Sequence, residues 1–143
     1  MRKHIKTILI VCLAISTFAF GSLWIAEKNS KDDMKEFAQA AACNAYIAFA
    51  EYQSDETISS YWDGVASFRT FQQACLSIAN QTNQSVNYSI CNEVYGYLIA
   101  EPEKSQDYIA DLIKIMELLS KDIEDLNGHA QMFNLRNALS YEG

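Results

Sequence analysis

The chain has 143 residues, with eleven lysines and arginines against eighteen aspartates and glutamates, and a formal net charge of −7. Three of the basic residues lie in the first six positions and every acid follows residue 26, so the remainder carries eight basic residues against eighteen acids, a net of −10; such a field repels phosphate backbones, and no nucleic-acid partner is expected. The four cysteines and two histidines form no CxxC, CxxCH or Cys/His cluster, which removes thioredoxin-like redox work, haem attachment and zinc as candidates.

Residues 1–6 form a basic leader carrying Arg2, Lys3 and Lys6, followed by an uncharged run over 7–26 that ends near Trp24. At about 1.5 Å per residue such a run makes a helix of about 30 Å, the thickness of a bilayer's hydrocarbon core, and its Trp suits the headgroup interface. The run predicts a single transmembrane signal-anchor helix. The alternative is a signal peptide cut after Gly21, where Ala19 and Gly21 supply the small residues a signal peptidase needs. Cys12 is a poor lipoprotein site because bulky Val11 precedes it. The basic leader keeps the N-terminus cytoplasmic, which makes 27–143 an extracytoplasmic domain.

The domain's apolar spacing is helical nearly throughout. The first helix is expected over 31–53, Ala-rich, with Met34, Phe37, Ala38, Ala41, Ala45, Ala48 and Tyr52 inward. Ser54 to Thr57 form a turn that also caps the next helix. The second helix covers 58–80, with Ile58, Tyr61, Trp62, Val65, Phe68, Cys75 and Ile78 as its stripe. A polar loop at 81–85 leads to a third helix over 86–100, with Ile90, Val94, Tyr97 and Leu98 inward. Pro102 ends that helix and suits the first turn of the next. The fourth helix is the clearest: Ile109, Leu112, Ile113, Met116, Leu119, Ile123 and Leu126 share one face, and Gly128 is the expected C-terminal stop. A short fifth helix follows over 129–139. The fold class is therefore all-α, a signal-anchor helix followed by an antiparallel bundle of four to five helices.

Catalytic constellations are sparse. Neither His4 nor His129 follows a Glu by three residues, so the carboxylate di-metal pattern is absent. The acid pairs Asp32-Asp33, Asp55-Glu56 and Glu124-Asp125 lie at helix ends or on polar faces, where acids are solvated. No serine has a GxSxG context and no glycine-rich loop could cradle a phosphate. No cofactor and no metal is expected, and the protein is read as no enzyme. Asn80, Asn83 and Asn87 each match the glycosylation acceptor pattern, which matters only in a eukaryotic secretory host.

An exported domain meets an oxidising compartment, and a disulfide is expected between Cys75 and Cys91. A short loop joins their helices, and the two positions fall at nearly the same height. Cys43 is then the free thiol, buried among Ala40, Ala41 and Ala42. The function expected from all this is a membrane-anchored, extracytoplasmic, non-enzymatic accessory or interaction protein of the cell envelope. Its partners are the membrane through residues 7–26 and a protein through a helix face. The alternative is a cleaved, secreted helical protein that binds a small ligand through its aromatic-rich middle helices.

Overall fold

A computed structural model describes the backbone of residues 2–82 and 85–141 and the side chains of 28–80 and 88–141. Among the described residues the protein is all-α, with six helices: α1 (Arg2–Asp55), α2 (Ile58–Thr82), α3 (Ser85–Ala100), α4 (Pro102–Gln106), α5 (Ile109–Lys121) and α6 (Leu126–Ser140). Contacts divide the chain into two units, Met1–Asp33 and Met34–Gly143. The first is the leading part of α1. The second is the bundle, built from the rest of α1 and all the other helices. Among the described residues no helix is long and apolar enough to cross a membrane; the expected span at 7–26 lies outside the residues whose side chains are described.

In the bundle, α1 turns inward Ala38, Ala41, Ala42, Ala45 and Phe49, at steps of three and four. Alanine favours the helix and lets neighbouring backbones come close. Phe37, expected in this stripe, is instead 57 % exposed, and Phe49 takes the core position. The groove that receives the Phe49 ring is made by Gly64 of α2. A Cβ on Gly64 would stand 2.5 Å from Phe49 Cδ1, so the glycine is there for space. Tyr52 and Tyr61 meet edge-on one step nearer the turn, with centroids 5.4 Å apart, and so α1 and α2 run antiparallel.

The turn between them needs one left-handed residue, Glu56, at φ 52°. Asp55 then organises the start of α2. Its Oδ1 accepts from the Thr57 N–H at 3.0 Å and from the Ser60 hydroxyl at 2.5 Å. Thr57 Oγ1 accepts from the Ser60 N–H at 3.3 Å, the bond of an N-cap. The Ser60 hydroxyl, and after it the Thr57 N–H, hold the Asp55 carboxyl below the ordinary aspartate range.

Two bonds fix α2 against α3. The Tyr61 hydroxyl donates to the Leu98 carbonyl at 2.8 Å, and Gln72 Nε2 donates to Asn92 Oδ1 at 3.1 Å. Residue numbers fall on one helix as they rise on the other, so this pair is also antiparallel. Burial pushes the Tyr61 phenol up to about 12, which keeps it a neutral donor. Pro102 opens α4, a single short turn tied back by the Ser105 hydroxyl to the Tyr97 carbonyl at 3.1 Å.

The expected fourth helix is two elements. It ends at Lys121, because Asp122 is extended at φ −149°, ψ 112°. Asp122 Oδ1 accepts from the Glu124 N–H at 2.9 Å, and Asp125 caps α6 by accepting from the Gly128 N–H at 2.6 Å. Leu126 accordingly opens α6 and is 80 % exposed, although its spacing from Leu119 and Ile123 continues the α5 stripe. Gly128 stops nothing: it lies in the first turn of α6 with φ in the ordinary range. A Cβ there would stand 2.8 Å from Leu119 Cδ2, so it lets α6 close on α5. Of the expected stripe, Ile109, Leu112, Met116, Leu119 and, past the end of α5, Ile123 are buried, whereas Ile113 is only partly buried and Ile115, outside that stripe, takes a core position. Ile58 and Trp62 of the expected α2 stripe are 60 % and 41 % exposed.

The bundle closes where α5 meets α1. Gln39 Nε2 donates to the Lys121 carbonyl at 3.0 Å, and Lys35 pairs with Glu124 at 2.8 Å. Helices α3 and α6 are the third and fifth long helices of the alternating bundle, and they lie side by side. Tyr88 meets His129, and Glu93 meets Arg136; numbers rise together, so α3 and α6 run parallel. With α4 and α5 making a single return between them, the two helices must point the same way.

Candidate functional site

The side of the bundle where α3 and α6 meet carries a groove of about 570 Å³, lined by Ile90, Glu93, Leu126, His129, Phe133 and Arg136 among others. Leu126, Ala130 and Phe133 lie at steps of four and three on α6, so one helix face presents all three. Leu126 is 80 % and Phe133 45 % exposed. Asp125 matters here because its cap sets where α6 begins, and hence which side of the helix Leu126 occupies.

The rim is polar and internally paired. Arg136 Nε lies 3.1 Å from Glu93 Oε2, and Arg136 Nη1 donates to Asn137 Oδ1 at 2.9 Å. The guanidinium carbon stands 5.1 Å from the centre of the Phe133 ring, a cation–π distance. Arg136 therefore holds Phe133 from one side while Glu93 holds Arg136. His129 forms part of the floor and is buried. Its Nε2 is 2.8 Å from the Ile123 carbonyl, and because a carbonyl only accepts, Nε2 carries the hydrogen. Nδ1 has no hydrogen-bond partner among the described residues. The Tyr88 ring packs at right angles to the imidazole, with centroids 5.3 Å apart. A second, smaller groove of about 260 Å³ lies on the other side of α6, lined by Tyr108, Asp111, Ile115, Gln131, Asn134, Leu135 and Ala138. Lys104 Nζ caps the far end of α6, donating to the Leu139 carbonyl at 2.6 Å.

Cys75 and Cys91 are brought together in the core beside Tyr88, both fully buried and both thiols. Burial first, and then the neighbouring Cys91, push the Cys75 thiol far up. Burial also raises the Tyr88 phenol to about 12. Cys43 is exposed, not buried among the alanines: Ala41, Ala42 and Ala45 take the inward positions of α1, and residue 43 falls on the outer side.

The acid pairs are dispersed. Asp32 and Asp33 are exposed, Asp55 and Glu56 form the α1–α2 turn, Glu124 pairs with Lys35, and Asp125 is a cap. Among the described residues no three of His, Cys, Asp and Glu gather as a metal site. The aromatic residues of the middle helices mostly fill the core: Phe49, Tyr61, Phe68, Phe71 and Tyr88 are buried, and Phe68 packs on Phe71 at 5.7 Å. Asn80 is exposed, while Asn83 and the side chain of Asn87 lie outside the described residues.

The α3–α6 groove escapes sequence reasoning because Leu126 looks like the last residue of the α5 stripe. The signal that locates it is Asp125, an N-cap residue three positions before a glycine whose N–H it takes. Comparison with protein-family models, with curated proteins and with solved structures found no match.

Proposed function

We propose that this chain is a non-enzymatic, membrane-anchored, extracytoplasmic helical protein, and that the groove between α3 and α6 receives an amphipathic helix of a partner protein. The anchoring rests on the basic leader and the uncharged run over 7–26. The docking rests on one observation, the pair of large apolar side chains, Leu126 and Phe133, exposed on one face of α6 beside a concave surface. A helix laid in such a groove buries an i, i+3, i+4, i+7 stripe of its own. The partner's polar side is basic, because ten excess acids lie beyond residue 26 and complementary charge steers association.

Orientation is tested on membranes from cells making the full chain. The protein should resist carbonate extraction. A thiol reagent that cannot cross membranes should label a Ser140→Cys variant in intact cells, with exposed Cys43 replaced by Ser to remove its signal. Labelling only after lysis would overturn the orientation, and a soluble mature chain beginning at Ser22 would overturn the anchor.

Docking is tested with the full chain in a nanodisc of uncharged lipid and a designed Leu/Lys amphipathic peptide. Amide shifts should cluster on Ile90, Glu93, Ala130 and Phe133. Leu126→Ser with Phe133→Ser should weaken the peptide about tenfold or more, the loss expected on removing two apolar anchors. A Leu/Glu peptide of the same apolar pattern should not bind. Shifts centred elsewhere, or equal affinity for the double variant, would discard the groove as the docking site.

A further inference from the structure

We propose that Cys75 and Cys91 are a disulfide site that closes while the chain folds and is sealed once it has folded. Its operation in the cell rests on the extracytoplasmic placement proposed above, whereas its chemistry does not.

The register of α2 on α3 is set by bonds that involve neither cysteine. Tyr61 reaches Leu98, and Gln72 reaches Asn92. Moving three residues on from Gln72 and one back from Asn92 arrives at Cys75 and Cys91. Gln72 and Cys75 are neighbours on one helix surface, because residues three apart adjoin, and Cys91 lies near enough to help raise the Cys75 thiol. Both are fully buried, with Tyr88 beside them. The pairing therefore follows from the packing of two helices held at two other points along their length. Cys43, on the outer side of α1, has no part in it.

The balanced reaction needs an oxidant, and the class is a disulfide, either a low-molecular-weight one or that of a thiol oxidase. One cysteine thiolate attacks one sulfur of the oxidant and forms a mixed disulfide with it, while the oxidant's S–S bond breaks and its other sulfur leaves as a thiolate that takes up a proton. The second cysteine then attacks the resulting mixed disulfide and displaces the other half of the oxidant. Two S–H bonds are lost, one S–S bond is formed, and the oxidant is reduced to two thiols. The attacking species is the thiolate. In the folded core the Cys75 thiol is held protonated by burial, and no oxidant can reach either sulfur. Exchange must therefore precede the docking of α2 on α3 or await local opening. The same shielding then protects the finished bond from reductant.

The test uses the full chain, unfolded and reduced in urea, then refolded with mixed oxidised and reduced glutathione. Lys and Arg are absent between the two cysteines, so chymotrypsin, which cuts at Tyr88, is the protease for mapping. Non-reduced digests should give one linked species joining the Cys75 and Cys91 peptides, with Cys43 free or carrying glutathione. Reduced protein refolded without oxidant should stay reduced when oxidised glutathione is added afterwards, until urea is restored. The bridged form should melt about 10 °C above the reduced form. A Cys75→Ala/Cys91→Ala variant should fold and show no such shift. Recovery of Cys75 and Cys91 separately alkylated, or of Cys43 linked to either, overturns the site. Equal oxidation rates in the folded and unfolded protein overturn the sealing. Trapping thiols in intact cells separates the two proposals: a bond that forms on refolding but is absent from the cellular protein overturns the extracytoplasmic placement and leaves the site standing.

Discussion

Replacing Leu119 with Asp is expected to abolish the cooperative thermal unfolding of the bundle. Leu119 is fully buried on the inner face of α5. Its Cδ2 and Cγ also fill the space that Gly128 leaves open where α6 crosses, at 2.8 and 3.1 Å from where a glycine Cβ would stand. The substitution removes the apolar contact of two helices at once and puts a carboxylate at a fully buried core position. The lost burial costs about 3 kcal/mol, and an unpaired buried charge adds several more. Together these approach the whole stability of an ordinary domain. Two residues on, Lys121 is exposed and pairs with Glu117 at 2.7 Å across one helical turn. Lys121→Ala should change stability by about 0.5 kcal/mol or less. Circular dichroism melts of the two variants check this directly, and similar melts would mean that α5 faces the other way.

The second large effect is at Gly64. Gly64→Ala should destabilise the protein by about 2 kcal/mol, although alanine is the better helix former by about 1 kcal/mol. The added methyl would stand 2.5 and 2.6 Å from the edge of the Phe49 ring, and that ring is fully buried. Phe49→Ala alone should cost about 4 kcal/mol through the cavity it leaves. In the double variant the clash is gone and the methyl fills part of the void. The two losses should therefore fail to add, with a coupling of about 2 kcal/mol in the stabilising direction. Urea unfolding of the four proteins in the cycle measures it. Additive losses would show that the ring and the glycine do not share that space.

The same two positions show how far the sequence could be read. Helical periodicity finds α2, α3 and the buried face of α5, because those stripes are regular and their ends carry breakers such as Pro102. Periodicity alone cannot choose between Phe37 and Phe49. Twelve residues separate them, and at 100° per residue they point roughly 120° apart, so a narrow alanine face can bury only one. The choice is made by Gly64 on another helix, which no pattern within α1 records. The boundary at residues 122–125 is hidden for a different reason. Leu119, Ile123 and Leu126 keep helical spacing across a break that two aspartates impose through backbone bonds. The groove beside Leu126 was hidden with it. By contrast, a short connection between two helices fixes relative height, which is why the sequence places Cys75 and Cys91 near each other; in the structure both are buried thiols. Three alanines in a row do not say which of them face inward, and Cys43, expected to be buried among them, is exposed.

The contact that closes the bundle has a consequence for the order of events during folding. Gln39 on α1 finds its carbonyl on Lys121, 82 positions later. Closing so long a loop has an entropic cost that local helix formation cannot offset. During synthesis, most of the chain must emerge before the alanine face of α1 has its final neighbour on α5. Until then that face, with Phe49, is covered first by α2, the next helix in the chain. The hairpin of α1 and α2 is thus the earliest native-like unit available to the nascent chain, and the ring seated at Gly64 is its first tertiary anchor.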